Sequence, residues 1–216
     1  MSQPPQSQQV RPPAVAGLFY PAEPARLRAD VEAMLEAARP ATGDGAPAPA
    51  ALIVPHAGYV YSGPTAALAW ARAGALRGRV RRVVMLGPTH RVGVRALALP
   101  GCRAMDTPLG PVTVEVPPQI EELAATGLVV TRPDVHAAEH SLEVQLPFLA
   151  TVLPGADVVP LAVGWVAPDR AAEAILPFLG SPDTLVVVSS DLSHYLPQTE
   201  ARRVDDATIE RILALR

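Results

Sequence analysis

Short, unbroken apolar runs that stop abruptly at glycine–proline turns constrain this chain most. Ala51–Val54 stops at Pro55-His56-Ala57-Gly58, and Arg82–Leu86 stops at Gly87-Pro88-Thr89-His90. Thr184–Val188 stops at Ser189-Ser190-Asp191-Leu192-Ser193-His194, and Asp157–Val163 is a further run. Strands that are apolar without alternation must be covered on both faces, which is the pattern of a parallel sheet. Between them lie segments with helical spacing: Pro24–Arg39 (Leu27, Val31, Met34 and Leu35 on one face), Pro64–Ala75, Pro118–Ala125, Ser141–Leu153, Pro168–Leu179 and Thr199–Leu215. Proline near the start of several of these suits the first helical turn. Arg95–Leu99, Val112–Val116 and Leu128–Thr131 read as further strands, and Pro40–Ala50 as a surface loop. The expected fold class is α/β: a single domain with a mostly parallel central sheet and helices on both faces.

The 216 residues suffice for one such domain with a sizeable core. Met1–Pro13 is rich in Gln and Pro and lacks an apolar signal core, so the folded domain is expected over 14–216 with a disordered tail before it. No apolar run is long enough to span a bilayer, and a cytoplasmic location is expected. The net charge of −3 argues against nucleic-acid binding. All 18 basic residues are arginine, which excludes a Schiff-base or phosphate-loop lysine. The bias towards Ala, Arg, Pro and Gly suggests a GC-rich, bacterial genome. Cys102 is the single cysteine, so no internal disulfide forms.

The chemistry concentrates on histidine. His56, His90 and His194 each follow an apolar strand by a few residues, and in a parallel sheet those strand ends share one edge. Imidazoles from distant parts of the sequence then converge, as metal ligands do. Two histidines and a carboxylate leave iron(II) with open positions. Asp191 and Glu143 are carboxylates close to the histidine motifs, although Asp191 equally suits a turn or helix cap. His136-Ala-Ala-Glu139-His140 matches the inverted zinc-peptidase pattern, with Glu139 as base. The same segment also fits His140 pointing into the strand-edge cluster, with Glu143 on its face. Tyr59 and Tyr61 either line the pocket or pack beside Gly58. No Gly-x-Ser-x-Gly elbow and no dinucleotide fingerprint is present.

At these motifs the chain resembles a known family. Ala16–Pro21, Pro55–Tyr59, Leu86–His90, Glu139–Glu143 with Gln145–Pro147, and Ser189–His194 occur in order and resemble the Memo family. That family is named for a mediator of cell motility and includes AmmeMemoRadiSam system protein B. The resemblance implies a fold similar to class III, LigB-like extradiol dioxygenases. It implies metal ligands at His56 and His90, and it places His140, His194 and Asp191 in the same pocket as candidate catalytic residues; in an extradiol-type reaction His140 or His194 would act as acid and base. Tyr59 and Glu143 are expected to line that pocket. The implied cofactor is Fe(II) or copper. The implied ligand is a small molecule or peptide, with a functional link to radical-SAM and AMMECR-like proteins. The family's third ligand is a cysteine in a Cys-Gly-Arg type motif near the C-terminus. This chain reaches Arg216 without one, so the sequence reads as truncated. The expected function is therefore redox or oxygen chemistry at a histidine-bound metal. The alternatives are a non-enzymatic binding or redox-control protein and, last, a zinc peptidase.

Overall fold

The structure is a computed structural model that describes residues 9–42 and 47–214. A six-stranded sheet forms its centre. In chain order its strands are β2 (Ala51–Val54), β3 (Arg82–Pro88), β4 (Leu97–Leu99), β7 (Val129–Thr131), β8 (Asp157–Val163) and β9 (Thr184–Ser189). Their spatial order is β2-β9-β3-β8-β4-β7. β2, β9, β3 and β8 are mutually parallel, whereas β4 runs antiparallel to β8 and carries β7 parallel to itself. A second sheet of β1 (Val10–Arg11), β5 (Ala104–Met105) and β6 (Val112–Thr113) lies beside it.

Both faces of the main sheet are covered, as the apolar runs require. In β3, Val83 and Met85 enter one core and Val84 and Leu86 the other; all four are buried. The first core is roofed by α1 (Pro24–Thr42), α2 (Tyr59–Ala73) and α5 (Leu146–Val152), which pack on one another. The second holds Ile120 of α3 (Pro118–Ala125), with Ala174 and Phe178 beside α6 (Pro168–Glu173). Proline opens α1, α3, α6 and the short α4 (Pro133–Ala137), where its missing N–H costs nothing. The Glu23 carboxylate accepts from the N–H groups of Ala25 and Arg26 and caps α1. The last helix, α7 (Gln198–Leu213), buries no residue fully. No helix among the described residues is long and apolar enough to cross a membrane.

Several local expectations are corrected. The predicted disordered tail fails at its end: Val10–Arg11 pairs with β5, and Arg11 is buried. Residues 1–8 lie outside the described residues. α1 runs to Thr42, into the expected Pro40–Ala50 loop, of which residues 43–46 are also outside the description. α2 begins at Tyr59 rather than Pro64, because the Tyr59 N–H is taken by Phe19 O. Pro64 is tolerated inside it because the unpaired carbonyl four residues back belongs to Val60, which is 90% exposed. The expected Ser141–Leu153 helix is a turn, then a 3-10 turn at Glu143–Gln145, and only then α5. The Glu143 side chain is held elsewhere, as shown below. Pro168–Leu179 likewise breaks into α6 and a 3-10 turn at Leu176–Phe178.

Candidate metal centre

β2, β3 and β9 all end at one edge of the sheet, and the turns that follow them carry the chemistry. His56 follows β2 and is buried, at 3% exposure. His90 follows β3, with its side chain 37% exposed. His140 lies in the irregular stretch between α4 and the Glu143 turn. The Nδ1 or Nε2 atoms of these three residues all lie within 4.8 Å of one another. The His90 and His140 rings stack at 4.5 Å between centroids, and His56 meets them edge-on at 5.2 and 5.7 Å. Gly87 makes this approach possible. A β-carbon there would sit 2.8 Å from Ser141 Oγ and 2.9 Å from Leu142 Cδ2, so any side chain would push the His140 segment off β3. Phe19 packs on the outer side of His140 at 4.6 Å.

Hydrogen bonds fix which nitrogen His56 and His90 offer. Ser189 Oγ donates its one hydrogen to Ser141 O at 2.6 Å. It must therefore accept from His56 Nδ1 at 3.1 Å, as it does from Gln145 Nε2 at 3.2 Å. The Nε2 lone pair of His56 is left for the cluster. Glu139 does the same for His90: its carboxylate accepts from His90 Nδ1 at 2.8 Å and from the His90 N–H at 2.5 Å. It also accepts from the N–H groups of His140 and Ser141. Burial would raise the Glu139 pKa, but the donors from His90 and the backbone override it and bring it down to about 2. Burial, reinforced by the neighbouring imidazoles, lowers the pKa of both His56 and His140, against the pull of Asp191 and Glu139. Both rings are thus neutral near pH 7, as ligands must be.

The remaining predicted site residues are placed as follows. Asp191 lies just past β9; its Oδ1 accepts from the His56 N–H at 2.7 Å, and its Oδ2 is 3.7 Å from His56 Nε2. His194 lies 3.6 Å from Asp191 Oδ2 at the rim, with 58% of its side chain exposed. It stands outside the close donor set. Glu143 does not line a pocket. It is fully buried, with its oxygens taken by Arg11, the N–H groups of Ala14 and Val15, and the Tyr20 hydroxyl. Tyr59 is a packing residue whose hydroxyl donates to Val144 O. The peptidase pattern fails because α4 ends at Ala137, so His136 and His140 share no helix face. His136 is 1% exposed and donates through Nε2 to Ala98 O at 2.7 Å. The Glu139 carboxylate is spent on the His90 ring and on the N–H groups of His90, His140 and Ser141.

Sequence reasoning missed the orienting roles of Ser189 and Gln145. The signal was a polar residue ending an otherwise apolar strand, where a buried hydroxyl needs partners.

Fold and site together define an α/β protein with a three-histidine donor cluster at the carboxyl edge of a parallel sheet. The chain belongs to the Memo-like protein family, whose model matches residues 11–216. It is 35% identical over 220 residues to a MEMO1 family protein of Sulfolobus acidocaldarius, covering 95% of this chain and 77% of that protein. It is 36% identical to one from Archaeoglobus fulgidus, covering 95% of this chain and 76% of that protein. A MEMO1 family protein of Aquifex aeolicus is 37% identical, covering 93% and 73%.

Proposed function

We propose that this chain is a metal protein whose ion is held by His56, His90 and His140, and that its function is redox or oxygen chemistry at iron(II) or copper. The observation that carries this reading is the convergence of three imidazole nitrogens, with the ring protons of His56 and His90 already set by Ser189 and Glu139. A carboxylate behind a ligating histidine is the usual partner at such sites and raises the ligand's basicity. The donor set of neutral imidazoles suits iron and copper. When bound, such an ion supplies Lewis acidity and one-electron redox chemistry.

The protein's own residues do the rest. His56 is held by Ser189 on one side and by Asp191 on its backbone. His90 is the donor most open to solvent, so an external ligand enters past it. Asp191 sits between His56 and the exposed His194, 3.7 Å from the one ring and 3.6 Å from the other. In this reading Asp191 and His194 are the acid–base pair beside the cluster. A small organic ligand or a peptide is the expected occupant. A functional link to radical-SAM and AMMECR-like proteins belongs to the same reading.

The test is metal content. The full chain, loaded anaerobically with iron(II) or with copper, is desalted and assayed, together with His56→Ala, His90→Ala and His140→Ala. Near-stoichiometric metal in the parent and strong loss in each variant is expected. Unchanged metal in the variants refutes the assignment. Oxygen consumption by the iron form with catechol-like substrates separates an oxygen-using enzyme from a binding or redox-control protein.

A further inference from the structure

The residues 136–143 carry Glu139 and His140 yet hold almost no regular structure of their own. α4 ends at Ala137, and the next turn begins at Glu143. Their backbone ties include Ala138 N and Glu139 N to His136 O, Val144 N to His140 O and Gln145 N to Leu142 O, each closing a single turn. A loop this lightly tied does not by itself hold a carboxylate and an imidazole against two other histidines.

Ser141 is tied to Pro88 O and to Ser189 Oγ, and one side chain from the start of the chain adds a constraint that spans the segment. Arg11 is 5% exposed. Its Nε donates to His136 O at 2.8 Å, one terminal nitrogen to Glu139 O at 2.8 Å, and the other to Glu143 Oε2 at 2.6 Å. The guanidinium thus grips the beginning, middle and end of the segment. The Glu139 carbonyl belongs to the peptide whose nitrogen is that of His140, so fixing it fixes that peptide plane. The same peptide N–H donates to Glu139 Oε1, the oxygen that also holds His90 Nδ1. Arg11 is itself anchored on β1, which pairs with β5. Only a planar fork with diverging donors reaches three acceptors in this way; an ammonium on a flexible stem does not.

We infer that Arg11 is a positioning residue for the histidine cluster, setting metal affinity from behind by clamping 136–143. The inference rests on the metal reading above. Its test is cobalt(II) titration of the full chain, read by the visible absorption of the bound ion. The variants are Arg11→Lys, Arg11→Met and Ile120→Ala; Ile120 is buried in the opposite core and serves as a stability control.

Both Arg11 variants are expected to bind cobalt about ten- to a hundredfold more weakly, the usual effect of losing an outer support of a ligand. Their absorption bands should shift as well. Ile120→Ala should melt earlier yet bind cobalt like the parent. Arg11→Lys keeps a cation opposite Glu143, so it decides the matter if Arg11→Met does not fold. Parent-like affinity and spectrum in Arg11→Lys overturn the inference. So does an equal loss of affinity in Ile120→Ala, since affinity would then merely follow stability. A parent chain that binds no cobalt refutes the metal reading first, and this inference with it.

Discussion

His136 offers a prediction that can be worked through in numbers. Its ring is buried, its Nε2 hydrogen is spent on Ala98 O, and the Arg11 cation lies close by. Burial is the largest influence on its pKa and lowers it to about 4 from 6.5; the Ala98 bond opposes this and Arg11 reinforces it. The unfolded chain therefore takes up the proton first as pH falls. The neutral ring's contribution is complete above the unfolded value and is lost as pH drops from about 6.5 towards about 4. Integrated between about pH 7.5 and about pH 4.5, the linkage amounts to roughly 2.5 kcal/mol. Glutamine at this position keeps an N–H for Ala98 O but cannot titrate. Urea unfolding of parent and His136→Gln at both pH values gives the comparison. The parent should lose roughly 2.5 kcal/mol more than the variant on acidification. Equal losses in the two proteins, or a His136 ring titrating near its ordinary value by NMR, would refute the burial argument. Retained metal in the variant would agree with the exclusion of this residue from the donor set.

Other substitutions probe the supports of the site. Glu139→Gln should weaken metal binding by about ten- to a hundredfold, measured by chelator competition, because His90 loses its anionic acceptor. Ser189→Ala leaves His56 Nδ1 and Ser141 O without their partner. It should cost about 1–3 kcal/mol in urea unfolding and loosen the metal as well. Glu143→Ala strands the buried Arg11 cation and the Tyr20 hydroxyl; a loss of about 3–5 kcal/mol is expected. A loss well under 1 kcal/mol would show that the network is not stabilising.

The sequence by itself determined the layered fold and the edge at which the chemistry sits. Unbroken apolar strands can only be buried on both faces, and such strands in parallel deliver their following turns to one rim. That logic placed His56 and His90 together from residues far apart in the chain. Only the tertiary structure decided who joined them. His194 also follows an apolar strand, β9, yet its side chain is 58% exposed, while His140 arrives from the irregular stretch after α4. Its approach depends on the bare backbone of Gly87 and on the Arg11 clamp, both contacts between residues distant in sequence. The same holds for the carboxylates. Glu139 and Glu143 are four residues apart and look alike in the sequence, but one orients a histidine and the other anchors an arginine. Side-chain partners of that kind are fixed by packing in three dimensions, which no local spacing encodes.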